Sequence, residues 1–146
     1  MNIVDTNVLV YAIYEESAHH ETAKQWWEAA LSGNEDVGLP WLVLLGFLRL
    51  TTKRQAFSHP ISVKKALEFI QEWLEQPSVS VIHPGPRHLS LLQGLLMQAG
   101  TGGNLTSDAH LAALAIENHA ELISFDHDFA RFPGLRWRNP DSNPDR

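Results

Sequence analysis

The hydrophobic pattern of the chain predicts short buried strands separated by pairs of helices. Brief apolar runs read as strands at residues 3–4, 37–40, 79–82 and 121–124. Longer segments in which apolar residues recur every three or four positions read as helices at residues 8–14, 17–31, 41–54, 62–75, 86–100 and 108–116. A strand followed by two helices, repeated in this way, favours a mostly parallel sheet with helices on both faces.

Polar residues and glycines suggest where these helices begin and end. Ser17 is a candidate N-cap for the second helix, with Gly33 as its end, and Thr106 or Ser107 is a candidate N-cap for the last helix. Pro86 is expected to start the helix that ends at Gly100.

Two helices differ in how much of their surface we expect to be buried. The segment at residues 41–54 is so apolar that we expect most of its side chains, Trp41, Leu42 and Leu45 included, to be buried. In the segment at residues 62–75, Leu67 is expected to face inward with Trp73. Adjacent histidines at positions 19 and 20 point about 100° apart on a helix, so we expect a solvated helix start rather than a shared ion.

Length and composition bound the class of protein. With 146 residues, 44% of them hydrophobic, we expect one domain over residues 1–140 and a polar tail at 141–146. No apolar run approaches the roughly 18 residues of a membrane span, and no signal peptide is recognisable. The absence of cysteine fits a reducing compartment, so we expect a cytoplasmic protein with no membrane partner. A net charge of -6 argues against general polyanion binding, so contact with nucleic acid should be local and metal-assisted.

Three aspartates occupy positions that the predicted sheet brings to one edge. Asp5 follows the first strand, Asp126 follows the last core strand, and Asp108 lies in the first turn of the helix between them. Singly, Asp5 could serve only as a helix cap and Asp108 only as a favourable helix-start charge. Together, such carboxylates raise one another's pKa unless a hard cation such as Mg²⁺ or Mn²⁺ binds between them.

Four short motifs resemble one family when taken in register. They are Val-Asp-Thr-Asn-Val at 4–8, Phe-Leu-Arg-Leu-Thr at 47–51, Asn-Leu-Thr-Ser-Asp-Ala-His-Leu-Ala-Ala at 104–113 and Leu-Ile-Ser-Phe-Asp-His-Asp-Phe at 122–129. The chain resembles the PIN-domain ribonucleases, and especially the VapC toxins of bacterial VapBC toxin–antitoxin modules. The resemblance implies a PIN-like three-layer α/β/α sandwich around a mostly parallel sheet of four or five strands.

The same resemblance implies a metal-dependent endoribonuclease in which a water held by Mg²⁺, or by Mn²⁺, attacks an RNA phosphodiester. Asp5, Asp108 and Asp126 would be the catalytic metal ligands. Four further side chains would orient ligands or waters: Thr6, Asn7, Ser107 and Asp128. The candidate contacts to RNA phosphates are Arg49, Lys53 and Arg54.

Partners also follow from the resemblance. It implies a VapB-like antitoxin whose C-terminal segment blocks the site, and an RNA substrate for which tRNA and rRNA are candidates. A homodimer is expected because the helices at 41–54 and 62–75 carry more apolar residues than one small core needs.

One departure from the family pattern leaves alternatives open. Gly46 stands where family members commonly carry a glutamate, three residues before Arg49. The chain could therefore be a one-metal nuclease, an impaired one, or a version altered to blunt toxicity. A non-catalytic RNA- or protein-binding module with the same fold is a separate alternative. A phosphatase-type domain with Asp5 as nucleophile is a further alternative, although position 7 is asparagine where such enzymes would carry a second aspartate.

Overall fold

A computed structural model describes residues 1–54 and 59–142 and has a parallel β-sheet at its centre. Within these residues the sheet has five strands in the order β3-β2-β1-β4-β5, and every neighbouring pair is parallel. This confirms the predicted class of sheet. The strands are β1 (Asn2–Val4), β2 (Val37–Pro40), β3 (Val79–Ile82), β4 (Glu121–Ile123) and β5 (Arg136–Arg138).

Six α-helices of the described residues flank the sheet, and a short 3₁₀ helix (His127–Arg131) lies between β4 and β5. The α-helices are α1 (Thr6–Ile13), α2 (His20–Ser32), α3 (Trp41–Thr52), α4 (Val63–Leu74), α5 (His88–Ala99) and α6 (Leu105–Glu117). Gly33 and Gly100 end α2 and α5 as predicted, and Gly100 adopts the left-handed φ of 74° that glycine tolerates best.

Four predicted helix starts are wrong by two or three residues. Helix α1 begins at Thr6 rather than at residue 8, with Asp5 as its N-cap. Helix α2 begins at His20 rather than Ser17, and the Ser17 hydroxyl accepts from the His19 amide in the turn before the helix. Helix α5 begins at His88, two residues after Pro86. Helix α6 begins at Leu105 after Asn104 and has no side-chain cap, so the prediction that Thr106 or Ser107 caps it is wrong.

The core lies between the sheet and its helices. Strand β1 is buried along its whole length, and α6 packs closely because Ala109, Ala112 and Ala113 are small and fully buried. On the other side, the rings of Phe47 and Trp73 meet edge to face, 4.8 Å apart.

The apolar helices are less buried than their sequence suggests. Trp41 is 49% exposed, Leu42 38% and Leu45 57%, so the prediction that most of this helix is buried is wrong for these side chains. Leu67 of α4 is 48% exposed and does not face inward, because Ala66, Ile70 and Trp73 form the buried stripe of that helix. Only one side of each of these two helices packs against the core, and their apolar residues extend beyond that side.

The start of α2 also differs from the expectation of a solvated histidine pair. His20 is buried, and its Nδ1 lies 2.8 Å from the carbonyl oxygen of Tyr11. His19 remains partly exposed and its Nδ1 lies 3.0 Å from a carboxylate oxygen of Asp141.

Among the residues that the structure describes, no helix has the length and apolar character needed to cross a membrane. The division into a domain at 1–140 and a tail at 141–146 stays a prediction, and residues 143–146 of that tail lie outside the described part.

Candidate metal centre

The site begins where the order of the sheet reverses, between β1 and β4. Chain order runs outward from β1 to β2 and β3 on one side, and to β4 and β5 on the other. Val4 lies opposite Ile123, and the Asp5 amide donates to the Ile123 carbonyl oxygen over 2.9 Å. Residues 5 and 124–126 therefore leave the sheet side by side at its carboxyl edge, which is where open parallel sheets place ligands.

Asp5 has both carboxylate oxygens engaged. Its Oδ1 accepts from the Thr6 amide (2.7 Å), and its Oδ2 accepts from the Ser124 hydroxyl (2.7 Å). Burial raises the pKa of Asp5, and the charge of Asp126 acts in the same direction against the two hydrogen bonds. Asp5 is also the N-cap of α1, so one side chain both starts the helix and brings a charge to the site.

Ser124 connects the two strand ends. Its side chain is fully buried, and its hydroxyl oxygen accepts from Nδ2 of Asn7 (3.1 Å) and from the amide of Asp126 (3.0 Å) while donating to Asp5. Asn7 in turn accepts from the amide of Phe125 over 3.3 Å. Ser124 is not among the site residues predicted from the sequence, although a polar residue at the end of a buried apolar strand is a signal for it.

Asp108 approaches from the first turn of α6. Partial burial, followed by the charges of Asp126, Asp5 and Asp128, raises the pKa of Asp108 to about 6, and Arg131 opposes this shift. Asp5 thus acts on Asp108 from the end of β1, and Asp126 and Asp128 act on it from the 3₁₀ helix that follows β4. This is the mutual repulsion that the sequence predicted for a shared acidic pocket.

One acidic group among the described residues consists of Asp108, Asp126 and Asp128. Each offers a carboxylate oxygen, and these oxygens lie within 4.8 Å of one another. Asp126 caps the 3₁₀ helix by accepting from the Asp128 amide (2.9 Å), and Arg131 lies 3.4 Å from Oδ1 of Asp128. Asp128 thus joins Asp108 and Asp126 in this group, and Asp5 lies close enough for its charge to raise the pKa of Asp108.

The donor set fits a hard divalent cation. All of the donors are carboxylate oxygens, which Mg²⁺ and Mn²⁺ prefer, and their repulsion is relieved by positive charge between them. The carboxylate oxygens of Asp108, Asp126 and Asp128 lie within 4.8 Å of one another. Burial, and after it the charges of the neighbouring aspartates, raises the pKa of Asp108 at this place.

The other residues predicted for the site differ in how deeply they are buried. Thr6 points to α3, where its hydroxyl donates weakly to the Val43 carbonyl oxygen (3.3 Å). Gly46 is buried against Thr6, so the position where the family commonly has a glutamate lies beside the residue after Asp5 and carries no carboxylate. Four other predicted side chains are exposed: Ser107 on the first turn of α6, and Arg49, Lys53 and Arg54 at the end of α3 and after it.

Known proteins share the sequence pattern of this chain. The family model described as the PIN domain matches residues 3–135, which is most of the chain. Ribonuclease VapC37 of Mycobacterium tuberculosis is 46% identical over 140 residues, covering 96% of this chain and 97% of that protein. The chain belongs to the PIN-domain VapC ribonucleases. A second relative, Ribonuclease VapC33 of the same species, is 41% identical and covers 96% of this VapC-family chain and 98% of its own.

Solved structures show the same fold at lower identity. VapBC2 from Rickettsia felis, bound to a DNA fragment from its promoter, has a TM-score of 0.68 at 19% identity and covers 94% of this chain and 97% of its own. The sarcin-ricin loop cleaving toxin VapC20 of M. tuberculosis has a TM-score of 0.65 at 20% identity. The match covers 93% of this chain and 99% of the VapC20 chain. The PIN fold of this VapC-family chain is thereby established.

Proposed function

We propose that this chain is the toxin of a type II toxin–antitoxin pair and that it hydrolyses RNA phosphodiesters with a divalent cation held by its aspartates. The observation that carries the proposal is the gathering of Asp108, Asp126 and Asp128 beside Asp5 at the reversal point of the sheet. The ribonuclease names of the relatives that are 46% and 41% identical support the choice of RNA as substrate.

Mg²⁺ is the cation we assign to the site, with Mn²⁺ as an alternative of the same chemistry. Asp108 and Asp126 would hold it, together with Asp128 or Asp5. When bound, a divalent cation lowers the pKa of a coordinated water and offsets negative charge on a phosphate.

The chain's own residues prepare this site in four ways. The Thr6 amide and the Ser124 hydroxyl hold the Asp5 carboxylate in one orientation. Asn7 fixes the loop after β4 by accepting from the Phe125 amide. Arg131, whose charge lowers the pKa of Asp108, favours the ionised carboxylate that a cation requires. Ser107, at the mouth of the site, is proposed to orient waters.

Contact with the RNA backbone is assigned to Arg49, Lys53 and Arg54. All three are exposed and follow Gly46 on the same helix or just beyond it. In a chain of net charge -6, such a local group of cations would guide a phosphate towards an acidic centre that otherwise repels it. RNA recognition commonly uses such backbone contacts with splayed bases, which suits single-stranded loops of tRNA or rRNA in the cytoplasm.

A VapB-like antitoxin is the partner we propose, and a groove between α2 and α4 supports this. The groove has a volume of about 380 Å³, a floor that includes Trp27, Phe69 and Trp73, and glutamates at positions 28 and 72 on its rim. A basic amphipathic segment would match the glutamates of the rim with its charged side and the aromatic floor with its apolar side.

We also propose a homodimer, whose interface would use a surface other than this groove. Apolar side chains of α3, α4 and α5 remain exposed in the single chain: Trp41, Leu42, Leu45, Leu67, Leu89 and Met97. Trp41, Leu42 and Leu45 lie within about one turn of α3, and neighbouring exposed apolar residues of this kind are typical of protein interfaces.

The experiment that tests the catalytic proposal is sequencing of RNA 5′ ends after brief induction of the chain. We expect new ends at a small set of sites with the wild type and none with Asp108→Asn, whose fold is checked by circular dichroism. Identical ends with Asp108→Asn would contradict the proposal and would favour a contaminating nuclease or the non-catalytic alternative. The phosphatase alternative predicts instead a trapped aspartyl-phosphate on Asp5, whose two oxygens are already hydrogen-bonded.

A further inference from the structure

The buried hydroxyl of Ser124 touches two of the site's carboxylate-bearing residues at once. It lies 2.7 Å from Oδ2 of Asp5 and 3.0 Å from the backbone nitrogen of Asp126. Asp5 ends β1 and Asp126 follows β4, so this one oxygen bridges the two strands on which the acidic centre is built.

The direction of these hydrogen bonds is fixed by the groups around the hydroxyl. A serine hydroxyl has one proton to donate and two lone pairs that accept. The amide of Asp126 and the side-chain amide of Asn7 can both only donate here, and they use both lone pairs. The single proton must therefore go to Asp5, and the hydroxyl is fully satisfied only while Asp5 can accept it.

The backbone of Ser124 is held without help from its hydroxyl. Its amide donates to the Arg138 carbonyl oxygen (3.1 Å), and its carbonyl oxygen accepts from Nε1 of Trp137 (3.0 Å). Removing the hydroxyl therefore leaves the end of β4 in place and takes away the link between Asp5, Asn7 and Asp126. Because the side chain is fully buried, water has no ready access to replace it.

We propose that Ser124 is a positioning residue that sets the spacing between Asp5 and Asp126 and thereby the affinity of the centre for a divalent cation. The inference rests on the proposed function, because it assumes that these carboxylates receive a cation. Ser124 itself need not touch the cation or the RNA. Hydrogen-bond partners of metal ligands typically change metal affinity by about 10- to 100-fold when removed.

The test is calorimetric titration of the RNA-free chain with Mn²⁺, in the wild type, Ser124→Ala and Ser124→Thr. We expect the dissociation constant to rise about tenfold or more in Ser124→Ala and to stay within about threefold in Ser124→Thr, which keeps the hydroxyl. Thr51→Val is the matched control, since Thr51 is equally buried and its hydroxyl donates to the Phe47 carbonyl oxygen (2.7 Å) within α3. The control should lower thermal stability without changing Mn²⁺ affinity.

The outcomes separate this inference from the proposed function. Wild-type binding of Mn²⁺ with unchanged affinity in a folded Ser124→Ala would overturn the role of Ser124 alone. A wild type that binds no Mn²⁺ would overturn the proposed function and this inference with it. Should Ser124→Ala fail to fold, Ser124→Cys replaces it, because a thiol is a weaker donor of similar shape. Weaker Mn²⁺ binding in Ser124→Cys then supports the role, and wild-type affinity refutes it.

Discussion

Gly46 lies directly against Thr6, and a Cβ placed on Gly46 would stand 2.8 Å from the Thr6 hydroxyl oxygen. Thr6 is the first residue of α1 and Gly46 is in the middle of α3, so the missing side chain lets the two helices approach beside the acidic centre. This contact gives a physical reason for a glycine at position 46, in a helix interior, where glycine costs about 0.5–1 kcal/mol relative to alanine.

The first prediction concerns coupling between these two positions. Gly46→Ala should gain helix propensity but lose it again to the contact with Thr6, so its net effect in the wild type should be near zero or destabilising. In a Thr6→Ala background the nearest atom left is the Cβ at 3.5 Å, and Gly46→Ala should stabilise. A double-mutant cycle by urea unfolding should give a coupling of about 1 kcal/mol or more.

The control for that cycle is Gly94→Ala. Gly94 lies in α5, and a Cβ there would meet nothing within 4 Å. This variant should be stabilised by about 0.5–1 kcal/mol whatever residue occupies position 6. Additive effects of Gly46→Ala and Thr6→Ala would contradict the proposed contact.

The second prediction separates the two roles of Asp5. Asp5→Asn keeps a side-chain acceptor for the Thr6 amide, whereas Asp5→Ala removes the cap of α1. Both variants should lose RNA cleavage, but Asp5→Ala should have a free energy of unfolding lower than that of Asp5→Asn by about 0.5–2 kcal/mol. Thermal and urea unfolding beside a cleavage assay test this. Wild-type cleavage by Asp5→Asn would show that the Asp5 charge is not needed.

The third prediction is a pH dependence of stability in the metal-free chain. The pKa of Asp108 is about 6 in the folded chain and near 3.8 for an ordinary aspartate, so the folded state holds the proton more tightly. Stability from Asp108 is therefore complete below pH 3.8 and is lost as the pH rises through about 6. Asp5 shifts in the same direction.

Urea unfolding in EDTA between pH 4 and 7 tests this dependence. We expect the free energy of unfolding to fall less steeply with pH in Asp108→Asn than in the wild type. Equal slopes in the two proteins would show that Asp108 titrates normally in the folded chain.

The fourth prediction concerns the exposed cations after Gly46. Arg49→Ala should weaken binding of a single-stranded RNA and reduce the slope of log K against log salt by about 0.7, the value for one lost phosphate contact. Fluorescence anisotropy in Ca²⁺, at several salt concentrations, measures the slope. Lys64→Ala on α4 is the control, because Lys64 is also an exposed cation. If the slope of log K against log salt changes equally in both variants, Arg49 does not make a specific phosphate contact.

Much of this fold could be predicted because buried parallel strands have short apolar runs that end in polar residues. Strands β2 and β3 have their predicted bounds, and Asp5 and Asp126 leave neighbouring strand ends as expected. Strand β5 could not be predicted from the sequence, because Arg136 and Arg138 flank a single apolar residue and three residues show little periodicity.

The details that failed depend on tertiary contacts. A run of apolar residues such as the one in α3 does not reveal which side of the helix meets the core, so Trp41 and Leu45 could not be recognised as exposed. The start of α6 lies in a segment with several possible cap residues, and the structure uses none of their side chains. The partnership of Ser124 with Asp5 joins positions 119 residues apart and follows only from the register of β1 with β4.

We propose that carboxylates from distant parts of the chain bind a divalent cation together. Electron paramagnetic resonance counts free Mn²⁺ without any RNA, and it is measured with the wild type, Asp108→Asn and Asp36→Asn. Asp36 is an exposed aspartate directly before β2 and serves as the control. We expect the wild type and Asp36→Asn to remove the free Mn²⁺ signal to the same extent and Asp108→Asn not to remove it. Equal removal by Asp108→Asn, or none by the wild type, would contradict this proposal.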